Sequence, residues 1–227
     1  MVSTGRSWKA VARAYAGLVE DGVLSFGRDA LPDDLDAAGT DHDKVLAVLR
    51  YLNERVRYIS NDLGSTTLHP DTPNEVLQRQ YGDCKDQATL MVAMLRHLGV
   101  DASVALLSAG GEGLDVSADH PGIDAFNHAI VYVPGIDVWV DPTVTYEDLA
   151  ALPVANQDRL ALIAHPDTKE LVRTPSQRAA ANSLVREFEL QYAQWDYATV
   201  SERQTVSGAL YQTLGPLDAQ NLEALER

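Results

Sequence analysis

The chain contains a single cysteine, Cys84, whose place in the sequence favours reactivity. Asp83 is a good helix N-cap residue and Gly99 a good C-terminal stop, so Cys84 is predicted in the first turn of an apolar helix. A helix N-terminus carries partial positive charge and unpaired N–H groups, which favour the thiolate form of cysteine. Cys84 is therefore a candidate nucleophile; the alternative is a small buried apolar side chain.

A histidine and an aspartate lie at the two ends of a predicted β-hairpin. Strand-like segments flank Pro134-Gly135, and a symmetric turn there places His128 opposite Asp141. Opposed side chains of an antiparallel pair share one face and have Cβ atoms about 5 Å apart. The carboxylate then orients the imidazole and stabilises its protonated form when a thiol loses its proton. We predict Cys84 as nucleophile, His128 as base and Asp141 as orienting residue.

Other catalytic chemistries lack their sequence signatures. The remaining histidines show no metal-ligand spacing, and one cysteine cannot build a zinc site of several thiolates, so we predict no metal and no cofactor. The glycine-rich residues 110–113 lack the Lys-Ser/Thr ending of a phosphate loop, and there is no Gly-x-Ser-x-Gly motif. Nucleotide binding and serine hydrolase chemistry are therefore disfavoured.

Hydrophobic periodicity and turn signals predict the elements that position these residues. A first amphipathic helix begins at Trp8 and is expected to stop at Gly22. An acidic linker leads to a second helix, which starts at a capping box on Thr40 and ends near Tyr58, and a short third helix is capped by Thr72. Strands are predicted over residues 102–107, 128–133, 136–140, 160–163, 188–192 and 199–206, and residues 215–227 are helical in composition.

Composition excludes several classes of protein and partner. The 227 residues carry 33 acidic and 18 basic side chains, a net charge of −15, and 45% of them are hydrophobic. Such a chain can bury a sizeable core, and its negative field disfavours nucleic acid and anionic membrane surfaces. No apolar run approaches the roughly 18 residues of a membrane span, so we predict no membrane insertion. No signal peptide is visible.

Three blocks of the sequence together resemble the bacterial transglutaminase-like superfamily. They are Tyr81-Gly82-Asp83-Cys84-Lys85-Asp86, Phe126-Asn127-His128-Ala129 and Trp139-Val140-Asp141-Pro142-Thr143. The most similar subgroup carries this core behind a β-sandwich domain in longer, commonly exported proteins. The resemblance implies an α+β fold with a papain- or transglutaminase-like core, in which the nucleophile helix packs on an antiparallel β-sheet, with extra C-terminal strands.

The resemblance also implies a domain organisation. Residues 1–39 are expected to form an N-terminal helix and acidic linker, residues 40–173 the catalytic core, and residues 174–227 a β-rich extension, part of a truncated following domain. Because the sandwich is missing, we expect a fragment or a shortened relative. The compartment stays open: the relatives are exported, whereas a full-length chain of this kind would be cytoplasmic.

The implied chemistry is attack of the Cys84 thiolate on an amide carbonyl, with an acyl-enzyme released by water or by an amine. The backbone N–H of Cys84 is the natural oxyanion donor, and a second donor is needed. Asp83 and Asp86 partly oppose thiolate formation, and Lys85 offsets them. The candidates for the second donor are Gln78, Gln80, Tyr81 and Tyr58.

Three functions compete. We predict hydrolysis of peptide or isopeptide bonds in a peptide or protein substrate. Transamidation to an amine, and a noncatalytic binding module that keeps the fold, are the alternatives. Residues 97–158 hold ten carboxylates and no Lys or Arg. This stretch is either a solvated surface or a cleft rim that attracts Lys- or Arg-containing peptides or amine acceptors.

Overall fold

A computed structural model provides the structure of the chain, which divides into two compact units, residues 1–175 and residues 176–227. The residues that it describes are 5–27, 30–32, 35, 39–59, 68–110, 116–145, 149, 151–192 and 198–211. The predicted helical composition of residues 215–227 lies outside this set.

The described residues of the first unit form four α-helices. They are α1 (Trp8–Ser25), α2 (Asp41–Arg55), α3 (Pro73–Arg79) and α4 (Cys84–His97). The predicted starts of the last three are confirmed, because Thr40, Thr72 and Asp83 each form a capping box. Such a box pairs the free N–H groups at a helix start with side chains within three residues in sequence. These helix starts can therefore be predicted from short segments of sequence. None of the described helices is long and apolar enough to span a bilayer.

The predicted stop of α1 at Gly22 is wrong. The helix continues to Ser25, and Gly22 is buried inside it. A Cβ atom at residue 22 would lie 3.5 Å from Pro73 and 3.7 Å from Thr89. The glycine therefore lies where α1 passes close to α3 and α4, and it serves helix packing rather than helix termination.

An antiparallel sheet of five strands packs against α4. Its strands are β3 (Ser103–Leu107), β4 (His128–Val133), β5 (Val138–Val140), β6 (Leu160–Ile163) and β7 (Val172–Arg173). They lie in the order β5-β4-β3-β6-β7. Two short parallel strands, β1 (Arg57–Tyr58) and β2 (Tyr81–Gly82), pair beside the start of α4. The second helix thus ends at Arg55 rather than near Tyr58, because the next residues join this pair.

Helix α4 is the centre of the first unit. Every residue from Asp86 to Leu95 is buried, and the helix contacts α1, α2, α3, β3 and β4. This arrangement confirms the predicted α+β class, in which the cysteine helix packs on an antiparallel sheet.

The second unit contains a long β-hairpin, in which β8 (Ser183–Tyr192) pairs with β9 (Ala198–Ser207). Leu184, Phe188 and Leu190 lie on one face of β8 and are exposed. These two strands are the extra C-terminal strands that the resemblance implied.

Candidate active site

Cys84 is the first residue of α4, and its thiol is half-buried. The Asp83 side chain accepts hydrogen bonds from the backbone N–H groups of Lys85 and Asp86, at 3.1 and 3.3 Å. The N–H of Cys84 has no acceptor among the described residues. A free N–H at a helix N-terminus, beside a thiol, can bind a developing oxyanion.

The two carboxylates that flank Cys84 each have a basic partner. Asp83 pairs with Lys85, and Asp86 accepts a hydrogen bond from Arg79 at 2.8 Å. Asp86 is only 4% exposed, and burial raises the pKa of its carboxyl. These basic partners offset the negative charge near the thiol. Arg79 was not singled out from the sequence, because it lies in a different helix from Asp86.

Gly82 is needed for this arrangement. A Cβ atom at residue 82 would lie 2.8 Å from the Cβ of Asp86 and 3.3 Å from Val76, so a larger residue does not fit without a shift. The segment that leads into α4 can therefore approach the buried Asp86 closely.

The β4–β5 hairpin differs in register from the prediction. Val133 pairs with Val138, so the turn comprises residues 134–137 and its centre lies one residue later than expected. Residues 134–136 form a 3-10 turn, and Asp137 closes it in the left-handed conformation, at φ 51°. The predicted direct opposition of His128 and Asp141 is wrong.

The shift preserves the contact nonetheless. A register change that moves the facing partner by two residues keeps every side chain on its original face, so His128 and Asp141 become diagonal neighbours. Nε2 of His128 donates to Oδ2 of Asp141 at 2.6 Å. The Cys84 thiol lies close enough to the His128 ring to raise the pKa of the imidazole. Because Nε2 is occupied, Nδ1 is the nitrogen available to the thiol. The structure thus brings the three predicted residues together.

The Asp141 carboxylate is 2% exposed and fully hydrogen-bonded. Oδ1 accepts from the N–H and hydroxyl of Thr143, at 3.0 and 2.7 Å. Oδ2 accepts from His128 and, at 2.6 Å, from Nδ2 of Asn156. Burial raises the pKa of the carboxyl, but these hydrogen bonds and the charge of His128 outweigh burial and lower the pKa overall. Asp141 therefore stays ionised, the state in which it can orient a histidine.

Sequence reasoning did not identify Asn156, which is buried at the end of a 3-10 turn. The hydroxyl of Thr174 donates to the Asn156 carbonyl at 2.7 Å and helps to hold the turn in place. No local pattern connects residues 15 positions apart, so only the fold reveals this support. Thr143 lies two residues after Asp141, and that spacing is a local turn signal visible in the sequence.

His128 begins β4, and its neighbour Asn127 helps to hold that strand end. The Asn127 side chain accepts from the N–H of Ala109 at 2.7 Å and donates to its carbonyl at 3.2 Å. Burial lowers the pKa of His128, but the hydrogen bonds and charges of Asp141 and Cys84 raise the pKa to about 10. His128 is therefore positively charged at neutral pH, between the Asp141 carboxylate and the Cys84 thiol.

The four candidate oxyanion donors lie in the segment that precedes α4 or in the strand that pairs with that segment. Gln78 lines a depression on α3, and Gln80 is exposed at the end of that helix. The Tyr81 ring lies 4.8 Å from the guanidinium of Arg79. Tyr58 is half exposed and lies in β1, which pairs with β2 just before α4. The choice among them stays a prediction.

A cysteine at the N-terminus of a central helix, beside a histidine on an antiparallel sheet, defines the papain- and transglutaminase-like class of proteins. Sequence comparison agrees with this class. Residues 29–141, about half of the chain, match the model of the transglutaminase-like superfamily. The chain belongs to this superfamily, as predicted from its three sequence blocks.

Solved structures from two bacteria resemble the chain. A putative protease from Parabacteroides distasonis is 19% identical with a TM-score of 0.55, over 77% of this chain and 32% of that protein. A putative cysteine protease from Cytophaga hutchinsonii is 18% identical with a TM-score of 0.32, over 87% and 49% respectively. The chain thus spans a third to a half of their lengths, and the first of them supports the predicted fold. No curated protein matches the chain.

The raised pKa of His128 can be measured by NMR. We expect its ring protons to titrate near pH 10, because Asp141 and Cys84 stabilise the imidazolium. Asp141→Asn should lower this pKa strongly, and Cys84→Ala should lower it less. A wild-type His128 that titrates near its ordinary value of 6.5 would contradict the geometry.

The same pair makes stability depend on pH. Since the folded-state pKa of His128 lies above 6.5, its contribution to stability is fully present below that pH and is lost as the pH rises to about 10. Above pH 6.5, the difference in unfolding free energy between wild type and Asp141→Asn should therefore shrink with rising pH. Urea unfolding across this range measures it.

Proposed function

We propose that this chain is a thiol-dependent hydrolase that cleaves peptide or isopeptide bonds through an acyl-enzyme on Cys84. The observation that supports it most directly is the hydrogen bond between Asp141 and His128, with the Cys84 thiol beside the His128 ring at the N-terminus of α4. Membership of the transglutaminase-like superfamily is consistent with this chemistry.

In the proposed acylation, the Cys84 thiolate attacks the amide carbonyl carbon, a sulfur–carbon bond forms, and the oxygen gains negative charge. The free N–H of Cys84 donates to that oxygen. The His128 imidazolium gives its proton to the leaving nitrogen as the carbon–nitrogen bond breaks, which leaves a thioester. Asp141 keeps the ring oriented and stabilises its charge.

Deacylation uses the same groups in the opposite direction. Neutral His128 removes a proton from a water molecule, which attacks the thioester carbon. The carbon–sulfur bond then breaks, the carboxylic acid leaves, and the thiolate–imidazolium pair is restored.

Alkylation with iodoacetamide tests the paired thiolate, and the single cysteine makes the labelled position unambiguous. We expect wild type to be labelled rapidly, because the positive charge of His128 lies beside the thiol and favours attack by sulfur. His128→Ala should be labelled at least about tenfold more slowly at pH 6, because it lacks this charge.

Cys84→Ala provides the background for this experiment, and mass spectrometry measures the adduct. Equal, slow labelling of wild type and His128→Ala, with the same pH dependence, would instead favour the noncatalytic binding module.

Acyl transfer to an amine is the second candidate, and the superfamily match favours considering it. It shares the acyl-enzyme and differs only in whether water or an amine attacks the thioester. With a glutamine-containing protein and a labelled amine, we expect no incorporation of the amine, because water rather than the amine attacks the thioester. Product that appears only when amine is supplied would replace the hydrolase proposal by transfer.

We further propose that the substrates are cationic. Asp124 is exposed in the 3-10 turn Ile123–Ala125, four residues before His128, and Asp119 is exposed nine residues before it. A carboxylate at this position attracts a lysine or arginine side chain of a substrate through water. Asp158, by contrast, is already paired with Arg173.

This preference predicts a salt effect that depends on substrate charge. Hydrolysis of a 4-nitrophenyl ester of acetyl-lysine should fall about two- to fivefold from low to high salt, the range expected for an exposed ion pair. The matched acetyl-norleucine ester should not change, and Asp124→Asn should reduce the effect. Identical salt dependence of the two esters would contradict the proposed preference for cationic substrates.

A further inference from the structure

Helix α1 runs in the same general direction as α4, as two contacts indicate. Gly22 of α1 lies against Thr89 of α4, where an added Cβ would be 3.7 Å from the threonine methyl. Further along both helices, the Phe26 ring that follows α1 packs edge-on against His97, with centroids 5.2 Å apart. The N-terminal half of α1 therefore lies beside the first turn of α4.

Tyr15 lies on the buried face of α1, seven residues before Gly22. Seven residues are two turns, or about 10.5 Å along the axis. Along α4, Cys84 lies five residues or about 7.5 Å before Thr89, so Tyr15 and Cys84 are within about 3 Å of the same position along the two helices. Tyr15 is 2% exposed, so its ring is enclosed at this level of the fold.

The start of α1 lies beside the strand that carries His128. The Trp8 ring packs against Phe126 with centroids 5.6 Å apart, and its Nε1 donates to the carbonyl of Ala118 at 2.9 Å. Phe126 precedes His128 by two residues. Tyr15 thus lies in α1 between Trp8, which packs near His128, and Gly22, which packs on α4. This part of α1 is the part nearest to His128 and Cys84.

Electrostatics supports the same placement. Burial raises the pKa of Tyr15, and the charges of Cys84, Asp83 and Asp86 raise it further. A phenol in these surroundings keeps its proton and is a hydrogen-bond donor across the working pH range.

We propose that the phenolic hydroxyl of Tyr15 is the second oxyanion donor, acting together with the backbone N–H of Cys84. This inference rests on the proposed function. As the Cys84 thiolate attacks, the hydroxyl donates a hydrogen bond to the carbonyl oxygen and retains its proton. Tyr15 lies outside residues 29–141, the part matched by the family model, and it is far more buried than Tyr58.

Two reagents that both react with Cys84 distinguish oxyanion binding by Tyr15 from an effect on the thiol itself. With 4-nitrophenyl acetate, Cys84 attacks a carbonyl, a thioester forms, and 4-nitrophenolate leaves. Iodoacetamide is attacked at a saturated carbon, so no oxyanion forms. In Tyr15→Phe, we expect acylation to slow by about a hundredfold, the effect typical of one lost oxyanion donor, while alkylation stays within twofold of wild type.

Tyr132→Phe is the matched control, because it removes a phenolic hydroxyl that donates to Asp137 at 3.0 Å; both of its rates should equal those of wild type. Tyr58→Phe tests the competing donor, and thermal melting checks that each variant folds. Equal loss of both rates in Tyr15→Phe, no loss of either, or the selective loss in Tyr58→Phe instead would overturn the inference. If wild type itself is not acylated above Cys84→Ala, the proposed function fails first.

Discussion

The enclosure of α4 is the constraint on which the first unit depends. Its residues from Asp86 to Leu95 are buried among three helices and a sheet, and each large apolar side chain in that run contributes about 1.5–3 kcal/mol of burial free energy. The first turn of the helix and its last two residues, Arg96 and His97, are less enclosed. The helix that supplies much of the core thus presents its N-terminus, and Cys84 with it, to the candidate active site.

Burial of the Asp141 carboxylate is the second constraint. A charge without partners at 2% exposure would be very costly, so its hydrogen bonds are obligatory. Thr143, Asn156 and His128 supply them. Because the His128 imidazole is one of these partners, the hydrogen bond that stabilises the buried Asp141 carboxylate also fixes the orientation of His128 and favours its charged form.

Prediction from sequence succeeded where the determinants are local. Thr40, Thr72 and Asp83 begin helices through bonds to groups within three residues, and such patterns are readable without a fold. It failed at Gly22, where packing against Thr89 overrides the stop signal. It also failed at the hairpin register, because a 3-10 turn that ends in a left-handed Asp137 was not apparent from the turn residues.

The sequence by itself determined the superfamily, the helix position of Cys84 and the candidate roles of His128 and Asp141, because residue type, order and local spacing carry that information. Tertiary structure alone revealed the supporting contacts. Asn156 reaches Asp141 across 15 residues, and Tyr15 reaches the level of Cys84 across 69 positions of chain. Contacts of this kind depend on how helices and strands pack, and no periodicity within a segment records which other segment will lie beside it.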